Sequence, residues 1–222
     1  MKITVFTSNQ PRHLSLIKRL AQKSEKVYAI QEVTTIFPGL INDFYKKSDV
    51  MHDYFSRVIL SERKVFGPVD FMPSNVIQMA LKMGDLNNVD LKNFGEALNS
   101  DVFVVFGSSY IKGELVDFLV SKGCFNIHMG ASPYYRGTAT NFWPLYDDKP
   151  EFVGATIHLL TKGLDSGPIL FHALPRDEAI CPFDLGMKAV KVAHEGLANR
   201  IESGEIFKNN LDRSPIKLEP PC

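Results

Sequence analysis

Apolar residues follow two rhythms along the chain. Ile3-Thr4-Val5-Phe6, Val27-Tyr28-Ala29-Ile30 and Val102-Phe103-Val104-Val105 are short, nearly continuous runs bounded by polar residues. Such runs suit strands covered on both faces and predict strands over residues 2–7, 26–32 and 101–106. Between the first two, Leu14, Ile17 and Ala21 recur at helical spacing with Leu16 and Leu20 beside them, predicting a helix over 12–23. Residues 182–203 carry the same rhythm at Phe183, Met187, Val190, Leu197 and Ile201, with Pro182 at the start and Gly204 just past the end. His194 falls on that stripe and reads as a core or boundary residue. Further helices are expected over 112–120 and, as one broken or two short helices with aromatics on the sheet, over 40–66. Small helices with loops are expected over 72–100. A β-α-β start with right-handed crossovers gives the fold class α/β: a Rossmann-like, doubly wound, mainly parallel sheet. One catalytic domain is expected over residues 1–205, with a trailing tail at 206–222.

Composition narrows the partners. The 222 residues are 45% hydrophobic and 23% charged, ordinary for a globular protein. Lys+Arg and Asp+Glu number 25 each, so the positive excess of a dedicated nucleic-acid binder is missing, and no nucleic-acid partner is expected. Cys124, Cys181 and Cys222 are odd in number and widely spaced. They form neither a disulfide framework nor a zinc motif, and point to a reducing compartment. No stretch approaches the ~20 apolar residues of a membrane span. The expectation is a cytoplasmic protein without a metal.

Candidate chemistry concentrates in Phe-Asn-Ile-His-Met-Gly-Ala-Ser-Pro-Tyr-Tyr-Arg-Gly, residues 125–137, and in Gly-Leu-Asp-Ser-Gly, residues 163–167. Asn126 and His128 lie two apart on a strand running into a loop, so alternation points both to one side. An amide and an imidazole placed there could share one carbonyl oxygen. Asp165 lies between two glycines, in a loop able to bring its carboxylate to the imidazole and set its tautomer. The competing reading of the same residues is a satisfied, buried histidine of no catalytic use. The turn after the first strand, Thr-Ser-Asn-Gln-Pro-Arg-His, has no glycine, so a dinucleotide fingerprint is absent.

Taken in order, Asn126-x-His128, Pro133-x-Tyr135-Arg136-Gly137 and Gly163-x-Asp165-x-Gly167 resemble the formyltransferase family that uses 10-formyltetrahydrofolate. Its members act on glycinamide ribonucleotide, methionyl-tRNA or amino sugars. The match is dense over about 50 residues and general elsewhere. The resemblance implies the formyltransferase fold and Asn126, His128 and Asp165 as catalytic residues, with direct transfer through a tetrahedral intermediate. It implies Phe106, Gly107, Ser108, Tyr110, Gly163 and Leu164 around the formyl donor, 10-formyltetrahydrofolate. Tyr135, Arg136 and Asn141 become candidate substrate contacts, and the single Trp143 is expected to pack under the site. The glycine-free first loop departs from the glycinamide ribonucleotide enzymes, and the charge balance disfavours tRNA. The implied acceptor is a small-molecule amine, an amino sugar that is free or nucleotide-linked, used in surface polysaccharide biosynthesis. A homodimer could form through a sheet edge or through residues 40–66. The alternatives are a formyltetrahydrofolate hydrolase, a glycinamide ribonucleotide-type enzyme, and a folate-binding module without turnover.

Overall fold

A computed structural model of the chain describes residues 1–33, 48–68, 70–176 and 181–208. The elements are β1 (Lys2–Ser8), α1 (Pro11–Ala21), β2 (Lys26–Val33), α2 (Asp49–Phe66), β3 (Val76–Lys82), β4 (Val102–Val105), α3 (Gly113–Ser121), β5 (Phe125–Met129), α4 (Trp143–Tyr146), β6 (Ala155–Leu159), β7 (Ile169–Ala173) and α5 (Pro182–Glu202). Short 3₁₀ segments cover Leu86–Asn88, Leu91–Asn99, Pro150–Phe152 and Glu205–Phe207. The strands form one sheet in the order β3-β2-β1-β4-β5-β6-β7. The pairs from β3 to β5 are parallel, while β5–β6 and β6–β7 are antiparallel. The fold is a doubly wound, mainly parallel α/β sheet.

Strand alternation builds a core on each face. Ile3 and Val5 of β1 join Leu16, Ile17 and Leu20 of α1 and Val190 and Leu197 of α5 on one side. Phe6 points the other way, to Phe94 and to Leu115 and Leu119 of α3. Leu16, Ile17, Leu20 and Leu119 are fully buried; truncating any one to Ala should cost ~2–5 kcal/mol. Pro182 opens α5, and Gly204 follows its end with φ +72°, the left-handed turn that glycine takes without a steric penalty.

Two expectations need correction. The segment expected to hold only small helices contains β3, which pairs with β2 from Val27↔Val76 to Val33↔Lys82. As an edge strand it is covered on one side only, so Gln78, Lys82 and an exposed Ile77 blur its alternation. The second concerns α2, one continuous helix over its described residues that packs on α5 instead of laying its aromatics on the sheet. The Tyr54 ring meets Phe183 at 5.5 Å. The two fully covered side chains of α2 are polar: Ser61 donates to Asp184 at 2.6 Å, and Glu62 pairs with Arg12 at 2.8 Å. Residues 40–47 and 209–222 lie outside the described set. Packing continues past residue 205, since Ile206 is buried and the Phe207 ring lies 6.1 Å from Phe125. No described helix is long and apolar enough to cross a membrane.

Candidate active site

The site forms where the parallel part of the sheet gives way to the antiparallel part. The order reverses between β1 and β4, so the carboxyl ends of β4 and β5 border the crevice in which doubly wound sheets hold ligands. A β-bulge between Ile157 and His158 shifts the β6–β7 register: Ile157 faces Phe171, while His158 faces Ile169. Bulges re-aim side chains beside active sites. Leu159 N–H then donates to Pro168 O at 3.0 Å. Gly167 packs so closely that an added Cβ would collide with the Leu159 carbonyl. The hairpin loop is thereby turned toward β5, with Asp165 at its tip. Asp165 has φ +44°, a left-handed conformation that a short polar residue tolerates better than most.

The carboxylate meets three side chains. His128 Nδ1 lies 3.2 Å from Asp165 Oδ2. Asn126 Nδ2 lies 3.5 Å from Asp165 Oδ1 and 2.9 Å from His158 Nε2. His158 Nε2 is itself 3.9 Å from Asp165 Oδ1. Register explains the grouping: Asn126 stands directly opposite His158, and His128 opposite Thr156, on one face of the β5–β6 ladder. His158 Nδ1 sits 2.8 Å from the Leu159 carbonyl, which can only accept, so Nδ1 carries a proton. In the neutral ring Nε2 then accepts from the Asn126 amide. Burial alone would raise the Asp165 pKa, but the adjoining His128 and His158 rings outweigh it and hold the carboxyl well below its usual range. Asp165 is therefore an anion at neutral pH. With Nδ1 turned to Asp165, His128 Nε2 is buried and has no hydrogen-bond partner among the described residues.

A cavity of about 250 Å³ opens beside this group. It is lined by residues 105–111, Asn126–Met129, His158, Leu160, Thr161 and Gly163–Asp165. The catalytic candidates thus share one cavity with Phe106, Gly107, Ser108, Tyr110, Gly163 and Leu164. Tyr110 hydroxyl donates to Lys162 O at 2.7 Å and ties the two lining loops together. Gly107, at φ +65°, approaches so near that a Cβ would lie 2.5 Å from His13 Nε2. Apolar Ile111, Leu160 and Leu164 beside backbone-rich loops suit a flat heterocycle with polar edges.

The remaining candidates sit elsewhere. Tyr135, Arg136 and Asn141 do not line the cavity. Tyr135 hydroxyl donates to Asp147 at 3.0 Å, and Asn141 Oδ1 accepts from Gly154 N–H at 2.9 Å. Arg136 is exposed. Trp143, expected beneath the site, is instead half exposed beside Phe142 and Tyr146. Sequence reasoning missed His158, whose position across from Asn126 depends on register. It also missed Thr156, whose hydroxyl donates to Gly130 O and accepts from Ser132 N–H, fixing the turn after β5. Among the described residues no group of three or more His, Cys, Asp or Glu could hold a metal ion.

The chain is similar to known proteins in sequence and in fold. The methionyl-tRNA formyltransferase of Thermotoga neapolitana is 31% identical over 142 residues, 61% of this chain and 44% of the relative. That of Thermosynechococcus vestitus is 40% identical over 74 residues, 33% of this chain and 22% of the relative. The chain thus spans less than half the length of these curated relatives. Among solved structures, a phosphoribosylglycinamide formyltransferase from Anaplasma phagocytophilum superposes with TM-score 0.57 at 16% identity, covering 91% of this chain and 85% of that one. A 4-N formyltransferase from Francisella tularensis gives TM-score 0.55 at 21% identity, covering 93% and 70%. At these identities the likeness is one of fold. The family model described as formyl transferase matches residues 1–180, and the chain belongs to that family.

Proposed function

We propose that the chain transfers a formyl group from 10-formyltetrahydrofolate to the primary amine of an amino sugar, free or nucleotide-linked. The observation that carries this reading is the convergence of Asn126, His128 and Asp165 on one cavity, with His128 Nε2 left unpaired. The donor supplies an electrophilic formyl carbon; the residues supply charge and protons. Asp165, held as an anion 3.2 Å from Nδ1, stays paired with the His128 ring while its other nitrogen handles the proton. His128 Nε2 takes the surplus proton of the attacking amine, directly or through water, and returns one to the departing arylamine nitrogen. The Asn126 amide and protonated His128 donate to the oxygen that gains charge in the tetrahedral intermediate. One such donor contributes ~10²–10³ in rate. In the resting geometry the Asn126 amide nitrogen faces His158 and Asp165, so the amide must reorient or share its hydrogens during the reaction.

The equal numbers of acidic and basic residues support a small acceptor over a polyanionic one. The exposed Arg136 beside two tyrosines suits an anionic handle such as a diphosphate. The curated relatives favour a second reading, in which methionyl-tRNA is the acceptor. One assay separates the two. Release of tetrahydrofolate is followed with free and nucleotide-linked amino sugars, glycinamide ribonucleotide and methionyl-tRNA as acceptors. The proposal expects release only with an amino sugar. Release only with methionyl-tRNA would establish the second reading, and release without any acceptor would establish a hydrolase.

A further inference from the structure

We propose that Glu32, at the carboxyl end of β2, is a positioning residue for the formyl donor. This inference rests on the proposed function above. The carboxylate is fully buried, and among the described residues no cation lies in ion-pair range of it. Its charge is met instead by donors from two loops. Oε1 accepts from Gly84 N–H at 2.9 Å, Leu86 N–H at 3.3 Å and Ser109 Oγ at 2.8 Å, while Oε2 accepts from Ser109 N–H at 2.6 Å. Charge-assisted bonds of this kind are the strong ones, and each donor left behind would be poorly solvated.

Glu32 does not line the cavity, but Ser109 does. The contacts form a chain across the molecule. Glu32 fixes Ser109, and Asn87 holds the next residues by donating to Tyr110 O at 2.8 Å and accepting from Lys112 N–H at 2.9 Å. Tyr110 hydroxyl then reaches Lys162 O in the loop that carries Asp165. The Tyr110 side chain is more than half exposed, so apolar burial of that residue contributes little to holding the wall. The buried carboxylate supplies the fixed point. Its loss should loosen the donor-binding wall while leaving Asn126, His128 and Asp165 on their own strand and bulge.

The test uses Glu32→Gln, Ser109→Ala and the double variant. In Glu32→Gln one amide group can still accept from Gly84 and Leu86, but its NH₂ opposes Ser109 N–H. Binding is read as the Kd of 5-formyltetrahydrofolate, a stable donor isomer, and turnover as kcat at saturating donor. Glu32→Gln should raise Kd about tenfold and Ser109→Ala about threefold, with kcat moving less than about twofold in each. The double variant should raise Kd above either single variant but by no more than the product of the two effects, because the substitutions break two bonds, Ser109 N–H to Oε2 and Ser109 Oγ to Oε1, of one residue pair. Amides of residues 107–112 should exchange hydrogen faster in Glu32→Gln, with those of β1 unchanged. Unchanged Kd and unchanged exchange, or a fall in kcat matching the rise in Kd, would overturn the assignment. If Glu32→Gln does not fold, Ser109→Ala alone decides by the same readings. A wild-type protein that neither binds nor uses the donor defeats the proposed function, while exchange at 107–112 still decides whether Glu32 is the clamp.

Discussion

Two pairs of buried histidines lie in this fold with opposite surroundings. His128 and His158 flank the Asp165 carboxylate on the β5–β6 ladder. His13 and His194 flank the Phe106 ring, at 5.0 and 4.9 Å, and among the described residues neither is ion-paired with a carboxylate. Burial drives the His13 pKa well below its ordinary value, helped by Arg12 and His194. For His194 burial, then Arg19 and Arg12, press it down to about 3. That pair is neutral at any physiological pH and acts as packing with polar edges. The first pair differs by one anion. Asp165 fixes the orientation of His128 through Nδ1, and the proposed function makes that ring the proton carrier. What a buried histidine can do is set by its nearest charge more than by its burial.

The largest expected effect breaks the first pair. His128→Ala should lower the formyl-transfer rate about 10³-fold, as a proton carrier and an oxyanion donor are lost together. Donor binding should change far less, and single-turnover kinetics with a separate Kd measurement check both. Asp165→Asn keeps the shape and removes the charge, so a loss of about 10²-fold is expected. Because the Asp165 carboxyl is held below the usual range, its own titration should not shape the pH–rate profile above pH ~4. His158→Leu removes one acceptor from the Asn126 amide, and about a tenfold loss in kcat should follow.

The second pair should respond in stability, with rate changed less than about twofold. His194 is depressed to about 3 when folded, against about 6.5 unfolded. Between those values the unfolded chain binds more protons. Stability is therefore complete above pH ~6.5 and falls as pH drops toward 3, by at most about 1.4 kcal/mol per pH unit from this residue. His194→Leu should flatten the fall in Tm between pH 7 and pH 5. The readout is Tm at each pH in the wild type and His194→Leu, and relief of the His194 effect on His13 should flatten the fall further.

Legibility in the sequence followed burial. β1, β2, β4 and α5 are covered on both faces or carry a clean helical stripe, so their apolar spacing announces them. β3 is a half-exposed edge, and β7 pairs across a bulge that breaks its alternation with β6. Neither leaves a regular pattern. The ordered motifs brought Asn126, His128 and Asp165 into view because the first two end a strand that runs into a distinctive turn and the third lies in a glycine-flanked loop. His158 and Glu32 lie in plain strand sequence. Their roles come from cross-strand register and from loops more than 50 residues away in sequence, such as the 77-residue separation between Glu32 and Ser109. Arg136 and Asn141 show the converse: a conspicuous loop residue need not border the cavity nearest to it in sequence.

The most direct test follows consumption of 10-formyltetrahydrofolate with an amino-sugar acceptor in the wild type, His128→Ala and His194→Leu side by side. Acceptor-dependent turnover in the wild type and His194→Leu, lost in His128→Ala, is the predicted result. Equal turnover in His128→Ala and the wild type would contradict the account, because the charge-paired histidine would then have no part in the chemistry.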